Sequence, residues 1–406
     1  MTQLKTPFYR IKESDLQYDI RLLKDSLARH WGNYIPGYSV KTNSLPWLLT
    51  YLQKQGFYAE VVSDTEYDLA KRLGYSDDKI IYNSPIKERN TFEQVLMNGG
   101  YVNLDSNYEL DWMKELSSSY PDKTFCIGLR VNCDIKSLCP NEQLAEEDGG
   151  RFGYCYENGV LAQTIKTLRT LPNVNITGLH LHSSTQSRTV DVYGALARMA
   201  GIIAKEYNLE LTYVDMGGGY FGGRTDKPDY RDYFARIGEE LRAFFSPEKT
   251  TLIVEPGVSL ISRATTFETT VLDYKHIRDR VYLVTDGSRV NLNPQVTRHV
   301  YPHHIEHCSD TTLRDTLPLQ WVCGSTCMEY DRLFPIENDK ALVPGDRIIY
   351  ETAGGYTICL SPLFIHYFPA VYIEKEDGTI FTAREPWSND EYLMKNYTGE
   401  PYESFI

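Results

Sequence analysis

Between residues 35 and 255, short apolar runs of strand-like composition alternate with longer stretches whose apolar residues recur at helical spacing. The strand-like runs cover 37–40, 58–62, 79–82, 101–104, 125–131, 176–182, 211–216 and 251–254. Helical patterns cover 48–54, 65–73, 108–116, 190–206 and 230–245. Strands that alternate with helices imply a parallel sheet, because each parallel neighbour needs a crossover connection. About eight such units over roughly 220 residues is the count and length of a (β/α)8 barrel; a doubly wound open sheet is the competing arrangement. After about residue 265 the helical period fades. The runs 266–272, 280–284, 319–323, 347–352 and 371–373 read as strands broken by Gly and Pro turns, which predicts a mostly β second domain. The expected division is a barrel over 30–265, with 1–29 and 266–406 forming the β-rich domain.

Polar residues with useful chemistry gather at one place in this pattern. Lys41, Ser63, Asn83, Asp105, Arg130, His182, the glycines 217–219 and Glu255 each fall at or just past the C-terminal end of a strand-like run. A barrel enzyme builds its active site on that rim. Helix capping accounts for Ser63, Asn83 and Asp105. It does not account for Lys41, Arg130, His182 or the triple glycine.

Composition narrows the classes. The chain has 406 residues, 42% hydrophobic and 24% charged, as expected of a globular protein larger than one comfortable core. A net charge of -13 argues against nucleic acid or an anionic membrane as the main partner. No apolar run approaches a membrane span, and residues 1–21 mix charges throughout, unlike a signal peptide. The eight cysteines form no Cys-x-x-Cys pair and read as reduced thiols, so a cytoplasmic location is expected. The acidic stretch 141–150 reads as a loop.

Several motifs, in order, resemble those of the alanine-racemase-fold (fold type III) pyridoxal-phosphate enzymes, in the branch of diaminopimelate and ornithine decarboxylases. Tyr38-Ser39-Val40-Lys41-Thr42-Asn43 resembles Tyr-x-Val-Lys-x-Asn, which implies that Lys41 is the Schiff-base lysine. Gly178-Leu179-His180-Leu181-His182-Ser183-Ser184-Thr185 is similar to the segment whose second histidine stacks on the pyridine ring, implying that role for His182 and a phosphate contact for Thr185. A zinc pair is the other reading of His-x-His, without a third ligand at metal-like spacing, so no metal is expected. Asp215-Met216-Gly217-Gly218-Gly219 resembles the phosphate loop, in which glycine lets backbone amides close on an anion. Glu255-Pro256-Gly257 is similar to Glu-Pro-Gly-Arg, whose glutamate pairs with the pyridine nitrogen. Arg130 matches the arginine near the cofactor, and Glu60 stands where relatives carry Asp near the lysine.

In the second domain, Cys323-Gly324-Ser325-Thr326-Cys327-Met328-Glu329-Tyr330-Asp331 resembles Gly-Pro-x-Cys-(Glu/Asp)-x-x-Asp. The resemblance implies that Cys327 enters the active site of a second subunit as proton donor, and hence a homodimer with composite sites. Tyr356, in Gly354-Gly355-Tyr356, matches a phosphate contact. Three departures touch substrate reading: Val258 replaces an arginine, Met328 replaces an acidic residue, and Gly324-Ser325 lacks the usual proline. Glu329 compensates for Met328 only if the loop slips. Arg289 and Arg298 are candidate anchors for a substrate carboxylate, through the bidentate guanidinium fork. The implied activity is amino-acid decarboxylation on a substrate that need not be diaminopimelate, ornithine or lysine. An amino-acid racemase on the same fold and a non-catalytic regulator are the alternatives.

Overall fold

The structure is a computed structural model that describes residues 4–140, 142, 149–183, 187–222, 226–294 and 300–396. Its contacts divide the chain into two compact units, one of Tyr18–Leu260 and one of Met1–Gln17 with Ile261–Ile406.

In the first unit the strands Tyr34–Ser39, Tyr58–Val61, Ile80–Tyr82, Tyr101–Leu104, Phe125–Asn132, Val174–His180, Tyr213–Asp215 and Thr251–Val254 pair in parallel. The strand Tyr101–Leu104 pairs with Phe125–Asn132 and Thr251–Val254 pairs with Tyr34–Ser39, so the sheet closes on itself. This closed eight-stranded barrel with surrounding helices excludes the doubly wound open sheet.

Helices stand close to the predicted positions at Pro46–Lys54, Asp64–Arg72, Asn107–Ser119, Val190–Glu206 and Tyr230–Arg242. The helices Glu13–His30, Arg89–Met97 and Val160–Leu168 add to those expected from the sequence. The first of these is legible once sought. Ile20, Leu23 and Leu27 are buried at helical spacing, Glu13 and Asp15 open the helix, and Arg29 and His30 close it, as the helix dipole favours.

The barrel also holds an apolar and aromatic cluster. Ile35, Ile81, Tyr213 and Ile253 form a buried cluster against which Tyr58 and Tyr101 pack. Room for the Tyr213 ring comes from neighbouring strands: a Cβ on Gly178 would lie 1.9 Å from Tyr213 Cζ, and one on Gly128 2.2 Å from its hydroxyl. One charged pair is fully enclosed on the barrel's flank. Lys87 Nζ meets Glu109 Oε1 at 2.9 Å and donates to the carbonyls of Ser84 and Asn103, so its three donors are spent.

The second unit is built on a nine-stranded mixed sheet. The first strand of the chain, Phe8–Lys12, lies between Thr265–Ile277 (antiparallel) and Ala370–Glu374 (parallel). Strands His303–Glu306, Arg332–Lys340 and Ile380–Arg384 add to those expected from sequence.

The glycine at 178 sets a checkable constraint. Gly178→Ala should lower stability by about 1–3 kcal/mol, because an overpacked core must shift a side chain or backbone. In urea unfolding, the double variant with Tyr213→Leu should lose less than the sum of the two single losses. Strict additivity would contradict the packing described.

Candidate active site

The barrel's C-terminal rim gathers the residues expected there. Strand Tyr34–Ser39 runs into a short 3-10 turn, Val40–Thr42, which puts Lys41 at the mouth with its side chain 40% exposed. Its Nζ lies 3.0 Å from Glu60 Oε2, and Ser39 Oγ donates to the same oxygen at 2.7 Å. Glu60 is buried on the next strand, so the Lys41 ammonium has a fixed counter-charge.

Deeper in the barrel is a chain of polar groups. Asp215 and Glu255, at the ends of two adjacent strands, are hydrogen-bonded to each other. Asn83 Nδ2 donates to Glu255 Oε1, Asn103 Nδ2 donates to Asn83 Oδ1 at 2.8 Å, and the Tyr213 hydroxyl donates to Asn103 Oδ1 at 2.8 Å. The Gly217 N–H donates to Asp215 Oδ1 at 2.9 Å. Burial, then the charges of Asp215 and Glu60, pushes Glu255 well above the usual carboxylate range. Asp215 is also raised, chiefly by burial. Two carboxyls in contact and out of water cannot both ionise cheaply, so the pair favours holding one proton between them.

Two histidines stand over this floor, with ring centroids 6.4 Å apart and planes 24° apart. His180 is fully buried and neither ring nitrogen has a hydrogen-bond partner; its Nε2 is 3.9 Å from Glu255 Oε2. His182 lies nearer the mouth. Desolvation, followed by Arg130, Lys41 and Arg188, pushes its pKa down to about 3, so it is a neutral aromatic surface. Arg130 donates to Asp105 Oδ2 at 3.2 Å and lies 4.6 Å over the Phe152 ring.

The glycine loop completes the rim. Gly217 and Gly219 take φ of +61° and +88°, which side chains rarely adopt. A Cβ on Gly217 would sit 2.5 Å from His182 Nδ1, and one on Gly218 2.2 Å from the Glu255 carbonyl oxygen. From below, the Tyr193 hydroxyl donates to the Gly218 carbonyl at 2.9 Å, and the Tyr193 ring stacks on Tyr220.

In the second unit, buried Asp331 organises the Cys327 loop. It accepts from Ser288 Oγ, the Arg289 N–H, and the Thr326 N–H and hydroxyl. A Cβ on Gly324 would fall 2.4 Å from the Asp331 carboxylate oxygens. Cys327 is exposed on this loop. The Glu329 side chain is 97% exposed and turned to Arg332 at 3.4 Å, so it does not take the position vacated at Met328. The Arg289 guanidinium lies 3.5 Å from the Tyr330 carbonyl. Tyr356 is partly exposed, with a φ of +57°. Thr185 and Arg298 lie outside the described residues.

A family model described as the pyridoxal-binding domain of pyridoxal-dependent decarboxylases matches residues 14–262, more than half of the chain. The chain belongs to this family. The family is named for decarboxylation that depends on pyridoxal. A probable chloroplastic diaminopimelate decarboxylase from Oryza sativa subsp. japonica is 25% identical over 96% of this chain and 79% of the relative. An L-glutamyl-[BtrI acyl-carrier protein] decarboxylase from Niallia circulans is 25% identical over 100% of this chain and 96% of its own. A diaminopimelate decarboxylase from M. jannaschii, solved in co-complex with L-lysine, shares the fold with a TM-score of 0.81 at 22% identity, covering 97% of this chain and 92% of that one.

The residues present fit the family's cofactor. A buried carboxyl pair beside a histidine whose ring nitrogens lack a hydrogen-bond partner suits an aromatic nitrogen that carries a proton, and the positive φ of Gly217 and Gly219 lets the loop turn backbone amides toward an anion. His180, Asp215 and Glu255 also bring potential ligand atoms within 4.8 Å of one another, a trio that sequence spacing concealed. Its carboxyls, however, are bonded to each other, to Asn83 and to the Gly217 N–H.

Capping explains Ser63, which accepts from the Glu66 N–H at 3.2 Å, but it fails for the other two residues assigned to it. Asn83 is in the floor network and Asp105 holds Arg130; the helices that follow begin after Glu88 and Ser106. Asn103 and Tyr213 were missed because both lie inside strands, where a polar residue reads as one more pleat position.

Beside Lys41, Glu66 accepts from the Val62 N–H at 2.8 Å, and burial raises its pKa to about 7 from the ordinary 4.5. Its contribution to stability is therefore full below pH 4.5 and lost as pH rises through about 7. Glu66→Gln keeps an acceptor for Val62 but cannot ionise. In thermal melts its advantage over wild type should grow from pH 5 to pH 8; a difference independent of pH would contradict this assignment.

Proposed function

We propose that the protein removes the α-carboxylate of an amino acid as carbon dioxide and puts a proton in its place. Pyridoxal phosphate, when bound, supplies an aldehyde for the amine and a ring that accepts the electrons released on bond cleavage. The observation that carries the reading is the buried Asp215–Glu255 carboxyl pair, raised in pKa by burial and within electrostatic reach of Lys41.

Lys41 presents the amine that engages the aldehyde, and Glu60 orients it and keeps its charge local. The Glu255 carboxyl binds the ring nitrogen, while Asn83 and Asp215 fix its rotation and proton. His182, neutral, offers a flat face to the ring; Arg130 lends a cation held by Asp105. Glycines 217–219, with Thr185 and Tyr356, hold the phosphate. Cys327 from a second copy of the chain delivers the proton that replaces the carboxylate, so the working unit is a homodimer. Arg289 and Arg298 anchor a substrate carboxylate.

We infer further that the substrate does not present a free ammonium at its far end. Met328 offers no carboxylate there, and Glu329 is turned to Arg332. The Niallia circulans relative, which matches over the full chain, is named for a glutamyl group carried on a protein, so a derivatised substrate has a counterpart among relatives.

Carbon dioxide release from diamino acids, acidic amino acids and carrier-linked amino acids tests this. The acidic or carrier-linked class should turn over, and Lys41→Ala should cut release on the order of 10^4-fold. Turnover retained in Lys41→Ala would refute the mechanism; turnover confined to free diamino acids would refute the substrate class.

A further inference from the structure

Arg188 is a rim cation to which the family motifs assign no role, and several observations converge on it. It follows the His182 segment and precedes helix Val190–Glu206. Its φ is +49°, a conformation that is strained for a non-glycine residue and is held only when neighbours enforce it. They do. Ser187 Oγ and Thr189 Oγ1, on either side, donate to the Glu142 carboxylate, and the Tyr233 hydroxyl donates to the Arg188 carbonyl at 2.7 Å.

The side chain so placed reaches the glycine loop. Its guanidinium carbon lies 5.5 Å over the ring of Phe221, two residues past Gly219. The same charge acts on His182 and on the Tyr193 phenol, whose hydroxyl holds the Gly218 carbonyl. Lys227 approaches the Phe221 ring at 5.4 Å from an exposed position, adding a second cation. Glycine backbone and guanidinium together match a phosphate monoester: amides for its oxygens, and a planar fork for its charge.

We propose that Arg188 binds the phosphate of the cofactor at the glycine loop, providing a cation where Val258 has none. This rests on the reading of the site as a pyridoxal-phosphate site. It assigns the backbone strain at Arg188 a purpose, which is to aim the guanidinium at the loop rather than to stabilise the fold.

Arg188→Gly tests the proposal with little folding penalty, since glycine adopts this φ without strain and that relief offsets its larger unfolded-state entropy. Wild type, Arg188→Gly and Arg188→Lys are titrated with pyridoxal phosphate and with pyridoxal, which lacks the phosphate, following the absorbance of the bound aldehyde. Arg188→Gly should weaken pyridoxal phosphate about 10–100-fold (roughly 1.4–2.8 kcal/mol), leave pyridoxal within about twofold, and melt no lower than wild type. Arg188→Lys, which keeps the charge but not the fork, should fall between. Unchanged affinity for pyridoxal phosphate in Arg188→Gly, or equal losses for both aldehydes, would overturn the role of Arg188 while leaving the site reading intact. A wild-type protein that takes up neither aldehyde would overturn the site reading itself.

Discussion

The floor of the barrel depends on one hydrogen bond between two buried carboxyls, Asp215 and Glu255. Carboxyls taken out of water are tolerated only if protonated or well supplied with donors. Both conditions shape what surrounds them. Asn83 and the Gly217 N–H supply donors; Asn103 and Tyr213 lock Asn83 in turn. Tyr213 needs a large space inside a closed barrel, so Gly128 and Gly178 stand where other strand residues would carry side chains. The polar floor and the glycine pattern of the strands are thus one requirement seen at two levels.

The same pair fixes the charge of the site. Lys41 is matched by Glu60, so the proton kept on the carboxyl pair leaves a single negative charge to meet a cationic ring. Neutral His180 and His182 add polarisable surface without adding charge. The cations Arg130 and Arg188 lie toward the mouth, where both act on His182. A gradient from an anionic floor to a cationic rim orients a ligand that is positive at one end and negative at the other.

Much of this was legible in the sequence because it lies at strand ends. The eight barrel strands fell close to their predicted ranges, and Lys41, His182, the triple glycine and Glu255 were recognisable from residue type and position together. What stayed hidden depends on register. Asn103 and Tyr213 look like ordinary strand residues until strand pairing turns them onto one network. Asn83 and Asp105 have the residue type of helix caps, and only geometry separates them from Ser63, which is one. Arg188 carries no sequence signal, since its backbone conformation is its distinguishing feature. In the second unit the motif around Cys327 was legible, but the outward turn of Glu329 was not.

The proton shared by Asp215 and Glu255 is the central claim, and infrared spectroscopy of the cofactor-free protein at neutral pH addresses it most directly. Wild type should show a protonated-carboxyl band, separate from the one Glu66 contributes to both proteins, that is lost in the Asp215→Asn/Glu255→Gln double variant. Its absence from wild type, or its persistence unchanged in the double variant, would contradict the account.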